Sequence, residues 1–347
     1  MRVYLMKEIV DEIWKILSDE GEENYSLTIW SNYPDKRIRR TSLLFSRHLY
    51  EIQDGFLLLV TGNQANLYSQ KQICLPEDST GLFARECFVE YPFSLKTIQF
   101  NGVDTSEVKN MGWMFARCDV SELCLGKFDT SNVTDMFGMF WECKVKYLDL
   151  SGFNTGKVTD MGGMFTECPV THLNLSNFDT GKVTDMAGMF QNCKVTSLDL
   201  RGFDTGNVKN MAGMFGECEA DIIGLDHFNT SKVTNMNGMF RSYRNPIVDL
   251  DLRSWDTSSV TSMDGMFQFC QVASLNLENW NTSKVDDMSY MFFECTTPEL
   301  DIHGFDLSAL KQADSIFCEC NIEKIIFSAK GHEKLKRRRC KAERIYV

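Results

Sequence analysis

The stretch Asp149 to Cys168, DLSGFNTGKVTDMGGMFTEC, recurs with small changes through two thirds of the chain, and it limits the possible folds more than any other feature. Its most constant part is Met-x-x-Met-Phe with a Cys three residues on, as in Met136-Phe-Gly-Met139-Phe140-Trp-Glu-Cys143. Copies start every 25 residues at Met111, Met136, Met161, Met186, Met211 and Met236. A step of 27 then leads to Met263, a step of 25 to Met288, and a ninth, degenerate copy runs from Ala313 through Ile316 and Phe317 to Cys320. Self-similarity at one fixed period marks a repeat architecture, in which each unit is too small to bury its own apolar side chains.

Each copy has three parts. The pattern Val145-Lys-Tyr-Leu148-Asp-Leu150-Ser-Gly-Phe153 predicts a short strand, because Leu-x-Leu alternation points two side chains to one face. An Asp or Asn followed by Thr comes next, as in Asp129-Thr130 and Asn154-Thr155, and such side chains favour a turn or a helix start. In the third part Val133, Met136, Met139 and Phe140 are spaced by three and four, which predicts a short helix with Thr134 as its cap. Stacked units would then form ladders of Leu, Met and Phe, each buried Phe or Met contributing roughly 1.5–3 kcal/mol of transfer free energy.

The Leu-x-x-Leu-x-Leu strand at this period resembles leucine-rich repeats. The longer string Leu198-Asp-Leu-Arg-Gly-Phe-Asp-Thr-Gly-Asn-Val-Lys-Asn-Met-Ala-Gly-Met-Phe-Gly-Glu-Cys218 resembles the BspA-like class of bacterial surface-protein repeats, also found in mycoplasma lipoproteins. The resemblance covers about residues 73 to 327. It implies a cell-surface adhesion or recognition protein without catalytic residues. The expected fold class is an α/β repeat: a leucine-rich-repeat solenoid, with one short parallel strand and one short helix per repeat, behind a small α+β cap.

The expected domains are a cap over residues 1–70, a solenoid of about ten repeats over 71–327 with its first member truncated, and a basic tail over 328–347. In the cap, Ile9, Val10, Ile13, Trp14 and Leu17 share one side of an amphipathic helix ending near Gly21. Short β-like runs follow at Leu27–Trp30, Leu43–Phe45, Leu49–Ile52 and Phe56–Val60, with Gln53-Asp54-Gly55 as a hairpin turn. Ile73-Cys-Leu75 stands 25 residues before Ile98-Gln-Phe100 and reads as the strand of a worn first repeat, with Leu82-Phe83 and Cys87 as its Met-Phe and Cys. Between Phe240 and Leu250 two extra residues lengthen the return, and Tyr243 replaces the usual Cys; this reads as a loop bulge, with a recognition knob as the alternative. Lys330, Lys334, Lys336, Arg337, Arg338, Arg339, Lys341 and Arg344 make the tail basic.

A formal charge of −12 and a pI near 5.0 argue against a general nucleic-acid binder. Charges interrupt the first 20 residues, so no secretory leader is expected, and no run of 18 apolar residues predicts a membrane span. The expected location is therefore cytoplasmic, with the cell surface, reached by another route, as the alternative that the resemblance suggests. Cys118, Cys143, Cys168, Cys193, Cys218, Cys270, Cys295 and Cys320 share one repeat position and read as a ladder of reduced core thiols. The five histidines lie far apart, and Cys318-Glu-Cys320 has no second pair beside it, so neither metal nor cofactor is expected.

Function is expected on the open face of the strand ladder, at Tyr147, Asp149, His172, Asn174, Asp199, Arg201, Asp251, Arg253, Asn276, Glu278, Asp301 and His303. Core positions repeat almost unchanged while these vary from copy to copy. Asp149, Asp199, Asp251 and Asp301 form an acidic stripe interrupted by Asn174 and Asn276, suited to a basic partner or to a solvated face. The expected function is a non-enzymatic protein-binding scaffold for an unknown protein ligand. The alternative is an effector whose activity resides in residues 1–70, with the repeats used for targeting.

Overall fold

A computed structural model describes residues 2–33, 48–85, 93–328, 335 and 343–346. The run Leu43–Phe45, Cys87, His332 and the basic residues from Lys330 to Lys341 lie outside the described residues. The chain divides into two compact units, Met1–Lys157 with Cys168–Asn177, and Val158–Glu167 with Phe178–Val347.

The N-terminal unit begins with β1 (Arg2–Tyr4) and α1 (Lys7–Glu20). The predicted apolar side of α1 is buried, and Gly21 ends the helix at φ 81°, a left-handed conformation that glycine adopts without steric cost. Then come β2 (Asn24–Trp30), β3 (His48–Ile52), β4 (Phe56–Thr61), β5 (Gln64–Ser69), β6 (Gln72–Cys74), β7 (Ser94–Asn101), β8 (Val120–Cys124) and β9 (Tyr147–Leu148). The β3–β4 hairpin turns at Gln53–Gly55, as the sequence predicts. Seven of these strands form one mixed sheet in the order β3-β4-β5-β2-β7-β8-β9.

This order corrects the expected first repeat. The strand beside β7 is β2, with Leu27 opposite Ile98, and Ile73–Leu75 instead meets Asp104 at the following corner. Residues 79–83 then lie against 110–114, and Phe83 stacks on Phe115 at 5.4 Å. The first coil is thus assembled from two stretches of chain, with the β3–β5 meander inserted between them. Arithmetic on a 25-residue period cannot register such an insertion.

The helix expected in each repeat does not form: no residue between 94 and 327 is α-helical, so the α/β fold class is corrected to strands and tight turns in mixed and parallel sheets. Residues 111–118 show why. The amides of Met114, Ala116 and Cys118 bond back to carbonyls three residues earlier, at 3.2, 2.9 and 3.1 Å. Those of Met111, Trp113, Phe115 and Arg117 bond to Asp135, Phe137, Met139 and Trp141 on the next rung, at 2.7–2.9 Å. An α-helix would send every amide four residues back along its own chain. Here alternate amides leave for the neighbour because Trp113 (φ 57°) and Arg117 (φ 56°) are left-handed, and both equivalent positions are left-handed in all nine copies. Three- and four-residue spacing still buries Met111, Met114, Phe115 and Cys118, so the apolar pattern fits successive turns as well as a helix. Thr134 caps no helix; its hydroxyl donates to the Lys109 carbonyl at 3.2 Å.

The C-terminal unit contains β10 (Ser197–Asp199), β11 (Asp221–Ile223), β12 (Arg244–Asp251), β13 (Gln271–Asn276), β14 (Thr296–Asp301), β15 (Asn321–Phe327) and β16 (Glu343–Tyr346). β10 pairs with β11, and β12 to β16 form a separate parallel sheet. The break falls at the two-residue insertion, where the β12 register shifts between Asn245 and Asp249. Tyr243 turns inward and donates its hydroxyl to the Ala220 carbonyl at 2.8 Å. Phe165, Phe190, Phe215, Phe240, Phe267, Phe292 and Phe317 stack in order with centroids 5.5–6.0 Å apart, an offset geometry that aromatic rings favour. All eight ladder cysteines are buried, each within its own unit.

Candidate functional site

Six rungs end in the same local device. The Asp or Asn after the first leucine turns its side-chain oxygen onto the backbone amide two residues later. Asp149 accepts from Ser151 at 3.0 Å and Asn174 from Ser176 at 3.1 Å in the N-terminal unit. In the C-terminal unit Asp199 accepts from Arg201, Asp251 from Arg253, Asn276 from Glu278 and Asp301 from His303, at 3.0–3.3 Å. These bonds fix the corner where the strand bends away, which gives the acidic stripe a structural cause. At Gly224 the row is interrupted: φ is 98°, and a Cβ there would meet the Arg201 amide nitrogen at 2.7 Å.

The side chain two residues on is held outward by the corner. Arg201 grips Asp199 through two bonds of 2.9 and 2.5 Å, and Arg253 grips Asp251 at 2.9 and 2.7 Å while its other nitrogen lies 3.9 Å from Glu278. His303 Nδ1 lies 2.7 Å from Asp301. The Arg201 guanidinium holds the Asp199 carboxyl down at about 2, and Arg253 lowers Asp251 in the same way. Asp149 has Ser151 in place of a cation, and the serine hydroxyl and amide lower its carboxyl. Of the four acids of the stripe, Asp149 alone faces a serine, whereas Asp199, Asp251 and Asp301 each face the arginine or histidine two residues on.

The structure brings some of the predicted residues together and separates others. Asp251 is in register with Asn276, and Glu278, Asp301 and His303 line one cleft of about 430 Å³ whose floor is Trp280 stacked on Phe305 at 6.4 Å. Asp199 and Arg201 belong to the β10–β11 pair, outside the sheet that carries Asp251 to His303. In the N-terminal unit Tyr147 is 70% exposed and stands opposite Glu122, while His172 and Asn174 lie on a rung that forms no strand. His172 Nδ1 is 2.9 Å from the Thr171 hydroxyl.

Two cross-rung contacts escaped the sequence reading, Ser274 to Asp249 at 2.7 Å and Lys324 to Glu299 at 2.8 Å. Both pairs sit at equivalent positions one period apart, which is the signal that would have found them. Among the described residues no cluster of three His, Cys, Asp or Glu side chains could hold a metal ion, and no helix is long and apolar enough to cross a membrane.

Strand corners, buried threonines and left-handed turns repeated at one period define the class: a repeat protein whose neighbouring coils are joined by backbone hydrogen bonds. The chain belongs to the family described as Mycoplasma protein of unknown function, DUF285, which matches residues 86–195, 144–245 and 217–327. No curated protein and no solved structure matches the chain.

Proposed function

We propose that this chain is a non-enzymatic recognition protein that presents its strand-end corners to a protein ligand, in the manner of the BspA-like adhesion repeats it resembles. One observation carries the reading. Six rungs form the corner with an Asp or Asn, whereas the residue it holds outward changes through Ser151, Ser176, Arg201, Arg253, Glu278 and His303. Within each unit a fixed frame thus displays different side chains, in the β12–β16 sheet at the roughly 4.8 Å spacing of paired strands. The hydrogen bonding of β2 to β7 favours this over an activity confined to residues 1–70, because the N-terminal strands share a sheet with the repeats.

The test replaces the displayed residues and spares the corner acids. Tyr147→Ala, Arg201→Glu and Arg253→Glu are expected to abolish cross-linking to the native ligand on or in the source cell while the melting temperature stays unchanged. Retention of the same cross-linked species by all three variants would overturn the reading. Protease shaving of intact cells adds the compartment. Cleavage from outside supports surface adhesion, and protection directs the search to partners inside.

A further inference from the structure

The left-handed turns of the C-terminal unit form a second surface, unrelated to the strand corners. Gly213, Gly238 and Gly265 occupy the same left-handed position on successive rungs and floor a groove of about 230 Å³. Their amides are already used, bonding to the carbonyls of Asn237, Asp264 and Ser289 at 2.8 Å each. An extended peptide laid in the groove would therefore find no backbone donors there, and recognition must come from the side chains of the walls.

Those walls are polar and available. Asn237 spends its oxygen on Ser262 and on the Asp264 amide, which leaves its NH₂ group for a ligand. Among the described residues the side chains of Arg241, Asp264 and Gln268 make no hydrogen bond. Asp264 is half-buried; its burial and the neighbouring Asp287 push its carboxyl up, with Arg241 opposing. Arg241 is matched by acid on the same walls, so no excess positive charge favours an anion.

At the next rung the row changes chemistry. Tyr290 stands where the preceding rungs have glycine, holds φ 54° despite its side chain, and is 41% exposed. Its ring packs edge-on against Phe293 at 5.9 Å. The groove itself offers amides, a carboxylate and a guanidinium, and Tyr290, on the rung after Gly265 and beyond the groove's own lining, presents an exposed aromatic face to a ligand that extends past it.

We infer that this groove is a binding site for a neutral oligosaccharide, whose hydroxyls are held by Asn237, Arg241, Asp264 and Gln268 and whose C–H-rich ring face lies against Tyr290. Sugar hydroxyls both donate and accept, which suits a mixed wall of donors and acceptors, and side-chain polar groups set orientation while the aromatic surface supplies the apolar contact.

The full chain is titrated calorimetrically with tetrasaccharides of glucose, mannose, galactose and N-acetylglucosamine. At least one is expected to bind in the micromolar to millimolar range, unaffected by added salt. Tyr290→Ala and Asp264→Asn are each expected to weaken it about tenfold or more, Tyr290→Phe to retain it, and Arg253→Ala, on the strand corners, to leave it unchanged. Circular dichroism confirms that each variant is folded. No binding by any of the four up to about 10 mM, or binding indifferent to Tyr290→Ala and Asp264→Asn in folded variants, overturns the site.

Discussion

Thr130 holds Asn154 twice. Its hydroxyl donates to the Asn154 carbonyl at 3.0 Å and accepts from the Asn154 amide at 2.7 Å, and the threonine is buried. Equivalent threonines do the first of these at Thr105, Thr180, Thr205, Thr230, Thr257 and Thr282. Replacing Thr130 by Val keeps its shape and removes both bonds, which leaves the part-buried amide and carbonyl of Asn154 without the threonine partner. The expected cost is about 1–3 kcal/mol, read as a lower urea midpoint with an unchanged slope. A Thr130→Ser variant keeps the hydroxyl and should lose less than half as much. Equal stability of Thr130→Val and the parent would mean that the bonds contribute nothing.

The left-handed row makes an opposite prediction at its two kinds of residue. Ser315 has φ 52° at the position where most copies carry glycine, a conformation that strains any residue with a Cβ. Ser315→Gly is expected to raise stability by about 1 kcal/mol. Gly213, at φ 63°, should behave conversely, with Gly213→Ala destabilising by about 1–2 kcal/mol. Thermal denaturation of the two variants reads both signs in one experiment. A stabilised Gly213→Ala would contradict the turn geometry.

These glycines also mark how far the sequence could be read. The period, the buried Leu-x-Leu strands, α1 and the hairpin at Gln53–Gly55 were all legible, because alternation and spacing report directly on which side chains are buried. The helix expectation failed because Val133, Met136, Met139 and Phe140 satisfy a helical spacing and a chain of turns equally. The deciding signal was a glycine two residues after the first Met in six copies, which costs a helix about 1 kcal/mol each time and admits a positive φ without strain. The pairing of β2 with β7 was not legible, since it joins residues about 70 apart through an insertion that leaves no periodic trace. Of the candidate surface, the exposure of Tyr147 and the outward row were legible. The bond from each corner Asp or Asn to the backbone amide two residues on was not read from the sequence, although such residues at strand ends favour it.

Asp199 and Arg201 give the strand corners a pH signature. The guanidinium holds the folded carboxyl at about 2, whereas an unfolded aspartate titrates near ~3.9. A depressed carboxyl contributes stability above its unfolded value and loses it as pH falls through the folded one. The pair therefore acts fully above about pH 4 and is gone below about pH 2. Carbon-detected NMR titration of Asp199 is expected to place its midpoint near the lower value, and Arg201→Ala to return it towards the ordinary range. Full solvent exposure keeps the contribution to stability small. An Asp199 midpoint that does not move in Arg201→Ala would show that the ion pair is not populated in solution.

The cysteine row predicts a sharp division in reactivity. Burial pushes the thiol of Cys118 up to about 12 and that of Cys168 up to about 11, and it raises Cys143 well above the ordinary thiol value. The nucleophile in alkylation is the thiolate, so at about pH 8 these three are almost wholly protonated as well as inaccessible. Cys124, at an outward position of β8, is exposed to the reagent. Brief treatment of the folded chain with iodoacetamide should therefore label Cys124 and leave Cys118, Cys143 and Cys168 unmodified, as read by peptide mass spectrometry. Unfolding in guanidinium should make all four react at comparable rates. Because the three ladder thiols sit on neighbouring rungs of one unit, their protection should be lost together, in a single cooperative step with denaturant. Labelling of Cys143 in the folded protein as fast as Cys124 would mean that the stacked rungs open freely, and the closed core would have to be abandoned.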